Sequence, residues 1–305
     1  MTDTLSQYSV LALYSAMAIY AIAFVLFTLD LAKGASTDTA PMGEASKVVI
    51  VPERRKLARI AMALTVIGWL LQFSATLMRG LAASRVPWAN MYEFAMTGTL
   101  IITGVFLLVN LKWDMKFLGS FVTGLVLLLL GLAATRYYVE IVPLPPALQS
   151  YWLVIHVFVA TLATGFFALG FALSLMQLLQ TRRESAVAAN EKTRLAFLTR
   201  LPDSVQLENY AYRLIIIGFV LWTFTLIAGA IWAEKAWGRY WGWDTKEVWT
   251  FIIWTIYAGY IHARSTRGWR GSRSAWLAMV GFAAVMFNFT VVNIFFKGLH
   301  AYSGL

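Results

Sequence analysis

Residues 211–264 run AYRLIIIGFVLWTFTLIAGAIWA, EKAWGRYWGWDTKE, VWTFIIWTIYAGYIHAR, in three consecutive pieces. The first and last pieces, 211–233 and 248–264, are apolar runs close to the ~20 residues a helix needs to cross a hydrocarbon layer. Neither alternates with a period of two, so neither competes as a strand. In lipid each backbone N–H and C=O must find its partner inside the chain, which makes such runs helices. Similar runs recur at 8–31, 58–78, 92–111, 117–135 and 152–179 before this stretch and at 275–296 after it. The sequence predicts an all-α fold, a polytopic transmembrane helical bundle of about eight spans.

Composition agrees. The chain is 60% hydrophobic and 13% charged, about half the charge fraction of a soluble domain. Its net charge is +10. With the N-terminus outside, eighteen of the 25 Lys and Arg residues fall in the inner loops. The positive-inside tendency therefore predicts both termini on the extracytoplasmic side. Basic loops facing anionic lipid account for the charge, and no nucleic-acid partner is expected. Met1–Gln7 carries no Lys or Arg, so the first span is expected to be retained rather than cleaved as a leader. There is no cysteine, hence no disulfide, thiolate metal site or redox pair.

Two regions are expected: four N-terminal spans in 1–135, and a core region in 136–305. A linker at 32–57 contains Gly34, Ser36, Pro41 and Gly43 and ends in the basic run Arg54-Arg55-Lys56. The segment 180–210 resembles an amphipathic helix stopping near Pro202. Asp203, with Gln206 three residues on, would cap the turn that leads into the sixth span.

The extracytoplasmic loop 234–249 holds the strongest chemical signal. Trp237, Tyr240, Trp241, Trp243 and Trp249 crowd thirteen residues, with Gly238 and Gly242 between them. Indole planes beside Arg239 and Lys246 suit a flat apolar ligand with acidic edges, such as a porphyrin with two propionates. The same residues also serve as an aromatic belt and a helix start, with Asp244 as N-cap and Glu247 completing a capping box.

Histidine placement favours the porphyrin. Of three histidines, His156 lies at the outer end of span five and His300 just past span eight, at the depth of the tryptophans. Neutral imidazole is a common ligand of haem iron. His262 lies 14 residues beyond Val248, about 21 Å deeper at 1.5 Å per residue, where an ionisable group is a functional candidate. The loop Arg85–Glu93 adds Trp88 and Tyr92 to the outer face, with Pro87 and Asn90 setting a turn.

The string WGRYWGWDTKEVW at 237–249, followed by WTIYAGYIHAR at 254–264, resembles the tryptophan-rich (WWD) signature of membrane proteins that handle haem in cytochrome c maturation. It is most similar to the CcsA/ResC type, the synthase component of System II. The His156 segment, the His300 ending and the Pro87–Glu93 loop share the resemblance. Thr245 stands where that family usually has Pro.

The resemblance implies that His156 and His300 ligate the iron of haem b around the tryptophan-rich loop. It implies that His262 receives haem in transit, with a second ligand from a ResB-type partner. It further implies a cytochrome c haem lyase (synthase) in the bacterial cytoplasmic membrane or its thylakoid equivalent, with its site on the extracytoplasmic side. The thiols of CxxCH in apocytochrome c would add to the haem vinyl groups. Catalysis would be mainly positioning by His156 and His300, with Asp244 a catalytic candidate by location alone. Two rivals remain open at this level: a haem exporter or chaperone without attachment activity, and a b-type electron-transfer subunit.

Overall fold

The computed structural model describes residues 2–33, 55–144, 146–191, 195–266, 268–296 and 298–300. The described residues form nine α-helices and three short 3-10 turns, with no strand among them. In chain order the helices are α1 (Thr2–Ala32), α2 (Lys56–Ala83), α3 (Met91–Lys112), α4 (Gly119–Arg136), α5 (Tyr151–Ala188), α6 (Ser204–Trp237), α7 (Thr245–Ser265), α8 (Ser272–Phe289) and α9 (Val291–Phe295). Most of the linker expected at 32–57 lies outside the described residues.

Among the described residues seven stretches are long and apolar enough to cross a membrane: α1 to α6, and α8 together with α9. That is one fewer than the eight expected, and the difference is α7. It is a 21-residue helix, but Thr250, Thr255, Gly259 and the charged residues near its ends dilute its apolar character. It nevertheless runs from one end of the bundle to the other. Its cap, Asp244, meets Leu299, while Arg264 pairs with Glu208 at the start of α6. The eighth expected span is interrupted at Thr290, between α8 and α9, within a β-branched run (Thr290, Val291, Val292) of low helix propensity.

The amphipathic helix expected in 180–210 is instead largely a continuation of α5, which reaches Ala188 and is 38 residues long. At 1.5 Å per residue this is about 57 Å, well beyond a hydrocarbon core. The overhang is tied down by Glu184, which accepts from the backbone N–H and hydroxyl of Ser204. Asp203 caps α6 through the Gln206 N–H at 2.7 Å, in agreement with the sequence.

Packing centres on two long antiparallel pairs, α1 with α2 and α5 with α6, with α3 bridging them through α2 and α5. A group of polar side chains between α1, α2 and α3 satisfies itself, as apolar surroundings favour. Tyr20 donates to Gln72 Oε1 (2.9 Å), and Gln72 Nε2 donates to Thr99 Oγ1 (2.7 Å) and the Met96 carbonyl (2.9 Å). Large apolar side chains such as Leu111 and Leu128 face outward at 85% and 69% exposure, a surface suited to lipid rather than water. One end of the bundle gathers the start of α3, the loop after α4, the start of α5, the end of α6, the start of α7 and residues 298–300. The N-terminal end of α1 lies at this end too, where Ser9 donates to the Ala75 carbonyl of α2.

A buried ion cluster fixes this end. Glu93, fully buried, accepts from Arg79 Nε at 3.1 Å and pairs with both terminal nitrogens of Arg85. Arg79 also donates to the Val139 carbonyl (2.8 Å) and lies against the Tyr92 and Tyr138 rings. Asn90 caps α3 through the Glu93 N–H, and Glu93 returns a bond to the Ala89 N–H. The loop flagged by Pro87 and Asn90 is thus a strap between α2, α3 and the segment after α4.

Candidate haem site at one end of the bundle

His156 lies in the second turn of α5, whose first turn is capped by Ser150. Its Nδ1 is 3.0 Å from the Thr225 carbonyl of α6. A carbonyl only accepts, so Nδ1 carries the hydrogen and the Nε2 lone pair is left free. The ring comes this close because α6 has glycine at 229. A Cβ there would stand 2.8 Å from His156 Cε1.

His300 is held by a different segment, the start of α7. Its Nδ1 is 3.3 Å from Asp244 Oδ2, which also accepts the Leu299 N–H at 3.0 Å. Asp244 Oδ1 accepts the Lys246 N–H at the start of α7. The bond from His300 holds the Asp244 carboxyl well below its ordinary range, at about 2. An ionised carboxylate only accepts, so His300 also donates from Nδ1 and leaves Nε2 free. Gly298 allows the approach, since a Cβ there would meet Asp244 Oδ2 at 2.7 Å. The loop is tightened by Glu247, whose Oε2 takes the N–H groups of Gly242 (2.8 Å) and Asp244 (3.0 Å). The expected capping box is present.

Both imidazoles share one indole. Trp232, 2% exposed at the end of α6, stacks on His156 with centroids 5.8 Å apart and planes at 15°. It meets His300 edge-on at 5.4 Å. Trp237 packs against Trp232 at 4.7 Å and His300 at 4.9 Å. His156, His300, Trp232 and Lys246 line a cavity of about 190 Å³. This cavity continues between α3, α5 and α8 past Gly98, Thr161 and Phe282. A smaller neighbouring space of about 60 Å³ adds Tyr240, Trp241 and Glu247.

Other expected residues lie farther out. Trp243 is 78% exposed, with φ of +59°, a left-handed conformation rare for a bulky side chain. Trp241 meets it edge-on at 5.9 Å. The Arg239 guanidinium lies over Gly242, and Trp249 packs on Phe287 of α8 at 4.3 Å. None of Arg239, Trp243 and Trp249 lines either cavity. Lys246, in contrast, points its Nζ at Asn293 Oδ1 of α9 and lines both.

Sequence reasoning missed Trp232, Thr225, Gly229 and Asn293. Trp232 sits inside an apolar run, where an indole is expected as belt, and only the fold brings it into contact with both imidazoles. His262 is at the other end of the bundle, 18 residues from Asp244, or about 27 Å along α7. It is exposed on the outward stripe with Phe251, Thr255 and Gly259, while Ile253, Tyr257, Tyr260 and Arg264 face inward.

The fold and this end of it define an integral membrane protein with an aromatic-walled cavity flanked by two histidines. The chain belongs to the family described as cytochrome C assembly protein, whose profile matches residues 88–300, and within it to the CcsA type of cytochrome c biogenesis protein. It is 32% identical over 276 residues to the cytochrome c biogenesis protein CcsA of Trieres chinensis, covering 82% of this chain and 88% of that one. With CcsA of Porphyra purpurea it shares 32% over 283 residues, with the same coverage. With CcsA of Synechococcus elongatus it shares 34% over 263 residues, covering 73% of this chain and 81% of the relative. Among solved structures it resembles a cytochrome c heme lyase, CcmF, with TM-score 0.64, 17% identity and 93% of this chain covered. The chain spans 46% of the length of that structure, and the likeness is one of fold.

Proposed function

We propose that this chain is the haem-attaching subunit of a cytochrome c synthase, holding haem b between His156 and His300 at the extracytoplasmic face. The observation that carries the reading is the paired orientation of the two rings. Each donates from Nδ1 to a fixed acceptor, and both line one cavity beside Trp232. Such secondary bonds fix the tautomer and aim the free nitrogen of metal-binding histidines. Asp244 serves His300 as a positioning group. Trp232 and Trp241 wall the porphyrin, Trp237 backs Trp232 and His300, Trp243 and Arg239 shape the outer approach, and Trp249 anchors α7 to α8. Lys246 adds positive charge to a cavity that takes an anionic macrocycle.

The reaction joins apocytochrome c to haem. The thiols of a CxxCH segment add across the two vinyl groups, so the nucleophiles belong to the substrate. A chain without cysteine forms no mixed disulfide with that segment. His262, exposed on α7, receives haem in transit with a second imidazole from a ResB-type membrane subunit. The eighteen-to-seven distribution of basic residues supports both termini, and the site, outside the membrane. The four-span region 1–135 then braces the haem-handling core 136–305. The membrane is the bacterial cytoplasmic membrane or the thylakoid equivalent.

The test is co-expression of the chain, its ResB-type partner and an apocytochrome in a host without its own maturation system. Denatured gels are then stained for covalent haem. A synthase gives a stained cytochrome that disappears with His156→Ala or His300→Ala. Haem that copurifies with the complex but never becomes covalent would identify an exporter instead.

A further inference from the structure

Adding a thiol to a vinyl group moves a proton as well as forming a bond. Sulfur bonds to the inner vinyl carbon, and the terminal carbon gains a hydrogen to become a methyl group. The thiol hydrogen is lost and the vinyl carbon acquires one, so no oxidant or reductant is consumed. Some group must carry that proton inside an apolar cavity. Five titratable side chains line the two connected spaces: His156, His300, Lys246, Tyr240 and Glu247.

Four of them are poorly placed for the task. His156 and His300 each use Nδ1 in a hydrogen bond, and on the haem reading each gives Nε2 to iron. Glu247 is committed through Oε2 to the Gly242 and Asp244 N–H groups, which turn its carboxyl toward the loop backbone. Asp244, just outside the cavity, is kept ionised by its own partners. Tyr240 is 64% exposed at the mouth.

Lys246 differs. Its Nζ rests on a neutral acceptor, Asn293 Oδ1. That amide is oriented by Nδ2 donating to the Phe289 carbonyl at 2.7 Å. Among the described residues no carboxylate comes within ion-pair distance of Nζ. The groups facing it are His156 of α5, His300, Asn293 of α9 and, on its own loop and helix, Tyr240, Asp244 and Glu247. An ammonium held by an amide keeps hydrogens free to give, and its amine form is not penalised by a lost ion pair.

We propose that Lys246 is the proton carrier of thioether formation. Its amine takes the proton of a cysteine thiol, and the resulting ammonium gives that proton to the terminal vinyl carbon as the same sulfur bonds to the inner one, which restores the amine for the second thiol. One lysine can thus serve both vinyl groups in turn. The inference rests on the haem-attachment reading above and goes beyond it by assigning the acid and base.

The experiment uses the co-expressed complex with Lys246→Arg, Lys246→Gln and Tyr240→Phe. Three things are measured: haem copurifying with the complex, its absorption spectrum, and the pH dependence of covalent attachment. Arginine preserves the charge but does not release its proton. Lys246→Arg is expected to keep haem and an unchanged spectrum, while attachment falls about 100-fold or more, the usual scale of general acid–base catalysis. The limb of the pH profile due to Lys246 disappears with it. Should Lys246→Arg fail to accumulate, Asn293→Asp replaces it; the added carboxylate locks the proton on nitrogen and should slow attachment without releasing haem. Wild-type attachment rates in Lys246→Arg, or a comparable loss in Tyr240→Phe alone, would overturn the assignment and leave the synthase reading standing. Wild-type complex that binds haem but attaches none would overturn both.

Discussion

Asp244 and His300, 56 positions apart in the chain, meet at 3.3 Å through Oδ2 and Nδ1. The carboxylate that makes this contact is also the N-cap of α7. One side chain therefore sets both where a helix begins and how an imidazole is aimed.

Asp244→Asn preserves size but removes the charge and one acceptor. On the synthase reading, haem affinity should fall roughly 10- to 100-fold, the usual cost of losing a partner to a ligating histidine. The absorption spectrum of the retained haem should move from six-coordinate toward five-coordinate. An unchanged spectrum and titration would show that His300 needs no such support.

The same carboxylate makes a pH statement. Its folded value is about 2, against about 4 for an unfolded aspartate. A depressed value contributes stability that is fully present above the unfolded value and is lost as pH falls through the folded one. The gap in Tm between the wild type and Asp244→Asn in detergent should hold from about pH 7 to pH 5 and narrow below about pH 4. A gap that stays constant to about pH 3 would contradict the assigned shift.

Gly229→Ala separates folding from ligand geometry. Alanine is better than glycine in a helix by about 1 kcal/mol, so α6 gains local stability. Its methyl group would overlap the His156 ring, 2.9 Å from Nδ1, and push it off the Thr225 carbonyl. The helix gain partly offsets the cost of the displaced ring, so the expected result is a protein that still folds, with a modestly lowered Tm, and copurifies with at most a tenth or so of the haem.

Glu93→Ala tests the strap. It strips two buried arginines of their common partner, and breaking a buried ion pair from one side costs about 3–5 kcal/mol. The Tm should drop sharply with or without haem. Glu93→Gln, which keeps the Ala89 contact, should fall between the two.

Much of this molecule was legible because lipid imposes simple rules. Run length gave most of the spans, and Asp203 and Asp244 announced two helix starts that the structure bears out. α7 was harder to classify, since its ends carry site chemistry and its middle carries threonine and glycine. The cavity was only half visible. His156 and His300 stood out by rarity, but their common neighbour Trp232 and their acceptors came from helices whose rotation about their axes no apolar run specifies. Glycines 229 and 298 looked like ordinary small residues, and their importance depends on what approaches them from another segment. Trp243 and Arg239 drew attention by composition, yet the turn at Gly238 and Gly242 directs both away from the cavity walls.

His300 follows the nine described helices, yet it supplies half of the proposed grip on iron. A chain stopped before residue 298 would thus insert, pack and look finished by most measures of folding, and still be unable to hold its cargo. A well-packed bundle and a competent site are, by this arrangement, separate achievements.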